Sequence, residues 1–388
     1  MDLNERSVEE RNAAALAAAA GTGVPEVESD VYVASQWQLI WWKFRDHRLA
    51  LYSGVLLILL YGVAVFVEPL APSLPGTYNA QYTYAPPQRV HLFYEGRLVR
   101  PYVFGLTQEI EQEALRRVFT VDETTRIPLG LFVRGDPYKL WGIIASDLHL
   151  FGPVDSTQVV HLAGADRLGR DVLSRMIYGT RISMSIGLVG VALSFVLGTI
   201  LGGVSGYYGG VIDEAIQRVI EFLRSIPTIP LWMGLAAAVP TNWPPLRIYF
   251  AITVILSIIG WTGLARSVRG RFLALREEDF VVCARLDNAS EMRVILRHMV
   301  PSFASHMIAS ITLAIPGMIL SETSLSFLGL GLQPPVVSWG VLLQDAQNIR
   351  AVSSAPWLLS PALLVVVTVL TLNFLGDGLR DAADPYGR

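Results

Sequence analysis

Residues 277–302 read EEDFVVCARLDNASEMRVILRHMVPS, the densest charged stretch in a chain that is otherwise mostly apolar. Glu277, Glu278 and Asp279 suit the first turn of a helix, where free amides and the helix dipole favour negative charge. Phe280, Val281, Cys283 and Ala284 then recur at helical spacing and make an apolar face. Asp287 and Asn288 break the pattern, because Asn tolerates the left-handed backbone that ends helices and opens turns. Ser290 is placed to cap a second helix starting near Glu291, which should end before Pro301. The pattern predicts a helix-turn-helix hairpin with charged rims and an apolar seam, a surface suited to docking on another protein. The plainer alternative is a solvated charged loop.

Outward from this hairpin the chain turns oily. Of 388 residues, 52% are hydrophobic and 16% charged, against about 25% charged in soluble domains. An ordinary cytosolic enzyme is therefore excluded. A hydrocarbon layer of about 30 Å needs about 20 apolar residues in a helix, since no backbone polar group can stay unpaired in lipid. Six runs are read as spans: 49–67, 182–204, 216–239, 248–264, 303–320 and 357–375. A net charge of -3 gives no reason to expect nucleic acid as a partner. The two lysines, Lys43 and Lys139, follow Trp42 and Tyr138. The Gly-Lys-Ser/Thr step of a phosphate-binding loop is thus absent, and ATP hydrolysis by that route with it. The lone Cys283 allows no intramolecular disulfide and reads as a small buried apolar residue.

Residues 1–34 carry acids and an alanine-rich run too short to span, and read as a disordered cytoplasmic tail. Residues 35–68 combine an interfacial helix with the first span. Trp37, Trp41 and Trp42 beside Lys43, Arg45 and Arg48 fix the amino terminus inside. Residues 69–163 contain no spanning run. Stretches such as RVHLFYEGRLVRPYVFGL, with aromatic and branched residues between Gly and Pro breakers, predict short strands. They are expected to form an extracytoplasmic insertion of strand-rich or mixed α/β character. Residues 164–377 are the transmembrane domain, with the hairpin at 277–301, and residues 378–388 a cytoplasmic tail. Arg266, Arg269, Arg271, Arg276, Arg285, Arg293 and Arg297 cluster between two spans, whereas PTNWPPLR offers only Arg247. This bias puts the hairpin and both termini in the cytoplasm.

Val282-Cys283-Ala284, three residues, Asn288, nine residues and His298-Met299-Val300-Pro301 resemble the "EAA" loop of permease subunits in ABC importers. The family has Gly where Asn288 stands and Leu where Val300 stands. GADRLGRDVLSRMIYGTRISMSIGLVG (164–190), GYYGGVIDEAIQRVIEFLRSIPTIPL (206–231), SETSLSFLGLGLQPPVVSWGVLLQD (321–345) and LGDGLRDAADP (375–385) resemble the second, C-type permease of dipeptide, oligopeptide and nickel importers. The resemblance implies an all-α integral membrane protein of six transmembrane helices with the type I importer fold. It also implies that the hairpin is a coupling helix seated in a cleft of an ATPase, through Glu278, Asp279, Ala284, Arg285, Asp287, Asn288, Ala289, Ser290 and Arg293. The implied partners are a second homologous permease, two ATPase subunits carrying ATP and Mg, an extracytoplasmic substrate-binding protein and the bilayer of a bacterial inner membrane. No cofactor and no catalysis are expected on this chain. The cargo implied is a short peptide, with nickel or an oligosaccharide as alternatives.

Asp166, Arg167, Arg170, Asp171 and Arg175, with Arg181, gather before the second expected span. They either meet the binding protein or pair among themselves. Glu322 and His306 fall at the fifth span and suit pathway lining, although Glu322 also suits an outer end in water. Pro334, Pro335 and Trp339 stand in a Gly-rich bent segment that is either a gate or docking surface, or an ordinary turn. Gly187, Gly190, Gly198, Gly202 and Gly203 suit close helix packing. A secondary transporter, the rival of another class, would want intramembrane charges or symmetric broken helices for ion coupling.

Overall fold

The computed structural model describes residues 36–111, 116–240 and 242–383. The expected tail 1–34 and the end of the chain from 384 lie outside the described residues. Helix α1 (Gln36–Asp46) carries the Trp-rich stretch and leads into α2 (Arg48–Val65). After the insertion come α3 (Val172–Tyr208), α4 (Gly210–Ser225), α5 (Thr228–Ala237) and α6 (Pro245–Leu275). Helices α7 (Asp279–Leu286), α8 (Ala304–Phe327), α9 (Trp339–Gln344), α10 (Ile349–Ser354) and α11 (Ser360–Ala383) complete the bundle.

Among the described residues, five segments are long and apolar enough to cross a membrane: Arg48–Val65, Val172–Tyr208, Pro245–Leu275, Met307–Phe327 and Pro356–Ala382. Helix α3 is the longest. Its 37 residues rise about 55 Å, well beyond the hydrocarbon layer. It starts ten residues before the expected run because Asp171 caps it, accepting from Ser174 N at 2.7 Å.

The expected span 216–239 is not one rod: α4 and α5 meet at 87°. Ile226 precedes Pro227, and the proline ring drives the residue before it out of the helical region. Ile226 is accordingly extended, with ψ at 131°. Pro227 (ψ 128°) follows suit before α5 begins. Counted as one broken crossing, the pair would bring the total to six.

Helix α3 lies against α6 because small residues let the backbones touch. A Cβ at Gly202 would stand 2.4 Å from the Ala265 carbonyl oxygen, and one at Gly206 would stand 2.7 Å from that of Arg269. Gly198 faces Trp261 and Leu264 of the same helix, while Gly187 and Gly190 approach Ile319 and Met318 of α8. The core between these helices centres on Met184, Ile186, Leu256, Ile319 and Trp339.

Between α2 and α3 the strand-rich insertion is an antiparallel meander of β1 (His91–Tyr94), β2 (Arg97–Glu111), β3 (Arg116–Leu140) and β4 (Ile144–Pro153). Strand β3 serves two partners in turn. Its first half pairs with β2, as in Tyr102↔Pro128, and its second with β4, as in Leu129↔Pro153. Val103, Ile127, Leu129 and Val160 form its small core. Buried His149 ties the sheet to the chain leaving α2: its ring nitrogens lie 2.6 Å from Ala71 O and 3.0 Å from Asp136 O. Asp136 also accepts from Leu74 N at 3.1 Å and Thr77 Oγ1 at 3.0 Å.

Candidate functional site

The polar stretch between α6 and α8 is a helical hairpin. Asp279 opens α7, Glu278 stands at its N-cap, and Glu277 precedes both and pairs with Arg276 at 3.0 Å. The acids therefore sit one or two positions earlier than expected. At the far end Asn288 takes φ 60°. Its amide donates to Arg285 O at 3.0 Å, and the Ala289 amide donates to Ala284 O at 3.1 Å. These two bonds make a Schellman motif, which returns the orphan carbonyls of α7 to amide partners.

Three details differ from expectation. Ser290 is extended but makes no side-chain cap; instead its carbonyl accepts from Val294 N at 3.0 Å. The second helix does not stop before Pro301. It runs Glu291–Arg293, widens into a π turn at Val294–Met299 and continues as Val300–Ser302. The wide turn makes room for a proline ring that would otherwise strike the carbonyl one turn back. The third is Cys283, which is exposed rather than buried.

The apolar residues of the hairpin form two faces, not one. Val281, Ala284, Val294 and Met299 are buried against Val268 and Phe272 of α6, Tyr207 of α3, and Phe303 and Met307. On the other side Phe280, Val282, Leu286, Met292 and Leu296 are bare, Leu286 at 80% exposure. Arg285, Asp287, Asn288, Ser290 and Arg293 are exposed among them, and Ala289 is half-buried. Two further contacts fasten the hairpin to α3. The Arg285 guanidinium lies 5.1 Å from the Tyr207 ring centroid, and Tyr208 Oη donates to Glu291 Oε2 at 2.8 Å.

At the start of α3 the expected charges are joined to one another. Asp166, 1% exposed, accepts from Arg170 Nε at 2.7 Å and from Arg175 Nη1. Arg175 and Arg167 also reach Asp345, at 3.7 and 3.3 Å. Of these side chains, Arg167 is the one that projects into solvent. Burial holds the Asp345 carboxyl above its usual range, against the pull of Arg175 and Arg167. Asp171 is occupied as the cap of α3. Arg181 stands apart, making two bonds to Glu68, at 2.6 and 2.7 Å. Asp345 and Glu68 went unread in the sequence because their arginines lie far away along the chain.

Glu322 is fully buried, so its alternative placement in water is excluded. Three hydroxyls converge on it: Ser338 at 2.7 Å, Ser326 at 2.8 Å and Ser183 at 3.3 Å. Buried Trp339 follows Ser338 and donates its amide to Ser183 Oγ at 3.0 Å. Pro334 and Pro335 are exposed and, with Trp243, Ile248 and Ile252, line a cavity of about 140 Å³. The side chain of His306 lies outside the described residues. No group of three or more metal-ligating side chains occurs among the described residues.

Among the described residues, five helices long and apolar enough to cross a membrane, with a polar hairpin between two of them, have the make-up of a multi-pass membrane protein. Residues 195–386 match the family described as the binding-protein-dependent transport system inner membrane component. Residues 35–87 match the N-terminal TM domain of oligopeptide transport permease C. The oligopeptide permease OppC of Haemophilus influenzae is 39% identical over 63% of this chain and 76% of its own length. The dipeptide permease DppC of Bacillus subtilis is 39% identical over 58% of this chain and 68% of its own. OppC of Escherichia coli K12 is 40% identical, covering 59% and 73%. The chain belongs to this family of inner-membrane permease components, whose ATPase is a separate subunit. The sheet falls between the two matched regions.

Proposed function

We propose that this chain forms half of the translocation pathway of an ATP-driven importer of short peptides. The cargo is supported by relatives named for oligopeptides and dipeptides. In this reading the bent pair α4 and α5 counts as the sixth crossing. The arginine-rich hairpin and both termini face the cytoplasm, in line with the charge bias. A second, homologous permease completes the pathway. Two ATPase subunits bind ATP and Mg below, and an extracytoplasmic binding protein docks near Arg167, Pro334 and Pro335.

One observation carries the reading: the hairpin is packed on its inner face and apolar but bare on its outer face. The bare face, with Phe280, Leu286, Met292 and Leu296 ringed by Arg285, Asp287 and Arg293, suits a cleft on an ATPase. The packed face ties it to α3 and α6, whose backbones are closely apposed at Gly202 and Gly206. When the ATPases close on nucleotide, the hairpin moves with them, and α3 and α6 turn that displacement into opposed movements of the inner and outer gates. Glu278, Asp279, Ala284, Ala289 and Ser290 set the shape of the hairpin, and Asn288 sets its turn.

The test is reconstitution in proteoliposomes. Peptide uptake should require this chain, its partner permease, the ATPases, the binding protein and ATP together. Uptake by this chain without ATPase would contradict the reading and favour a secondary transporter.

A further inference from the structure

The turn between β3 and β4 holds a strained aromatic residue. Leu140 pairs with Ile144 across a three-residue loop that opens with a tight turn from Leu140 to Ile143, closed by the Ile143 amide on Leu140 O at 3.0 Å. Both central residues have positive φ, 50° at Trp141 and 75° at Gly142. Such turns select Asn, Asp or Gly at the first of these positions, because a larger side chain meets its own backbone there. Strain of this kind persists where surrounding contacts hold it and something is gained by it. Here the contact is with the membrane-spanning bundle. Trp141 Nε1 donates to Val65 O at 2.8 Å, and the indole lies 5.7 Å from the Phe66 ring.

Val65 is the last residue of α2, so this bond sets the height of the turn at the end of a span. The surface around it is apolar and open: Ile143 is 81% exposed, and Trp141, Ile144, Val65 and Phe66 are exposed beside it. It continues into the bare face of α2 at Tyr52, Val55, Ile58 and Leu59. Lys139 is exposed two residues before Trp141. The only two lysines of the chain, Lys43 and Lys139, thus bracket α2, each with tryptophan close by in sequence. The 18 residues of α2 rise about 27 Å, close to the roughly 30 Å hydrocarbon thickness. Indole and lysine at both ends of a span of that length match the two headgroup layers.

We propose that the β3–β4 turn is a membrane-interface anchor. Trp141 and Ile143 enter the boundary between headgroups and acyl chains at the carboxyl end of α2, and Lys139 meets lipid phosphates. The sheet is thereby held against the bilayer rather than standing free in water. This holds whichever side of the membrane the sheet occupies.

The experiment uses the full chain assembled with its partner subunits in vesicles of phosphatidylethanolamine and phosphatidylglycerol. With Cys283→Ser as background, Ile143→Cys and, as a control at an exposed acid on β3, Glu123→Cys carry an environment-sensitive fluorophore. Ile143 is so exposed that its replacement leaves the core intact. At position 143 the anchor predicts blue-shifted emission, severalfold stronger quenching by shallow spin-labelled lipid than at position 123, and weak quenching by iodide. Quenching by iodide equal to that at position 123 would overturn it, placing the turn in water. Resistance to both quenchers would overturn it too, by showing that a protein subunit covers the patch.

Discussion

Ser338 Oγ donates to Glu322 Oε1 at 2.7 Å, and the segment leading into α9 is thereby fixed to the middle of the bundle. The same Ser338 oxygen accepts the Val341 amide at 3.2 Å, so one hydroxyl both caps α9 and engages the acid. Ser183 adds α3 to the cluster. Among the described residues no cation pairs with Glu322, and hydroxyl donors take that place.

Replacing Glu322 by Ala strands Ser183, Ser326 and Ser338 without their shared acceptor. An unsatisfied buried polar group costs about 1–3 kcal/mol, so thermal unfolding in detergent should shift clearly downward. Glu322→Gln keeps an acceptor and the shape, and should fall between. Equal melting of the Ala variant and the parent would show that the cluster holds nothing in place.

The turn of the hairpin needs φ 60° at Asn288. Asn288→Gly should be nearly neutral in both stability and transport. Asn288→Val carries a left-handed penalty of about 1–2 kcal/mol and should distort the elbow, lowering peptide uptake per ATP hydrolysed. Uptake and hydrolysis measured together check this, and unchanged coupling in the Val variant counts against the assigned turn.

The apposition of α3 and α6 leaves no room at Gly202, where an added Cβ would stand 2.4 Å from Ala265 O. Gly202→Val should therefore separate the two helices, with a cost of at least about 1–3 kcal/mol from overpacking. Gly270→Ala, where nothing lies within 4 Å, should be tolerated. Yield of monodisperse protein and melting temperature distinguish the two.

Burial pushes the Glu68 carboxyl upward, but the bonds and charge of Arg181, together with backbone amides of Glu68 and Trp141, outweigh it and hold it below its ordinary value of 4.5. A carboxylate with a depressed folded value binds its proton more readily when unfolded. The stability it adds is therefore fully present above pH 4.5 and lost as pH falls through the lower folded value. The stability gap between the parent and Glu68→Gln should be constant near neutrality and shrink below pH 4.5. A gap that widens on acidification would reverse the assignment.

Much of this was legible in the sequence. Apolar length located the spans, since lipid leaves the backbone few alternatives. The Asp287-Asn288 break located the hairpin turn, and the aromatic and branched residues of the insertion located a sheet, but its strands are not short: Pro128, Gly130, Gly135 and Pro137, read as breakers, lie inside the 25-residue β3. Pro227 and Pro230 marked the break between α4 and α5, but the apolar length of that run masked it. The two faces of the hairpin could not be told apart, because Phe280, Val282 and Leu286 are as apolar as Val281 and Ala284. Cys283 was misread for the same reason. The burial of Glu322 depends on serines from Ser183 to Ser338, and the Asp345 contacts on arginines about 170 residues away. Local patterning carries no trace of such pairings.

The role of the hairpin is tested most directly at Cys283, the only cysteine and an exposed one. A membrane-impermeant maleimide should label it from the cytoplasmic side in the chain without ATPase. Assembly with the ATPase should block that labelling, and a short bifunctional reagent should then join Cys283 to the ATPase subunit. Labelling from the opposite side, or at the same rate with the ATPase bound, would contradict the account.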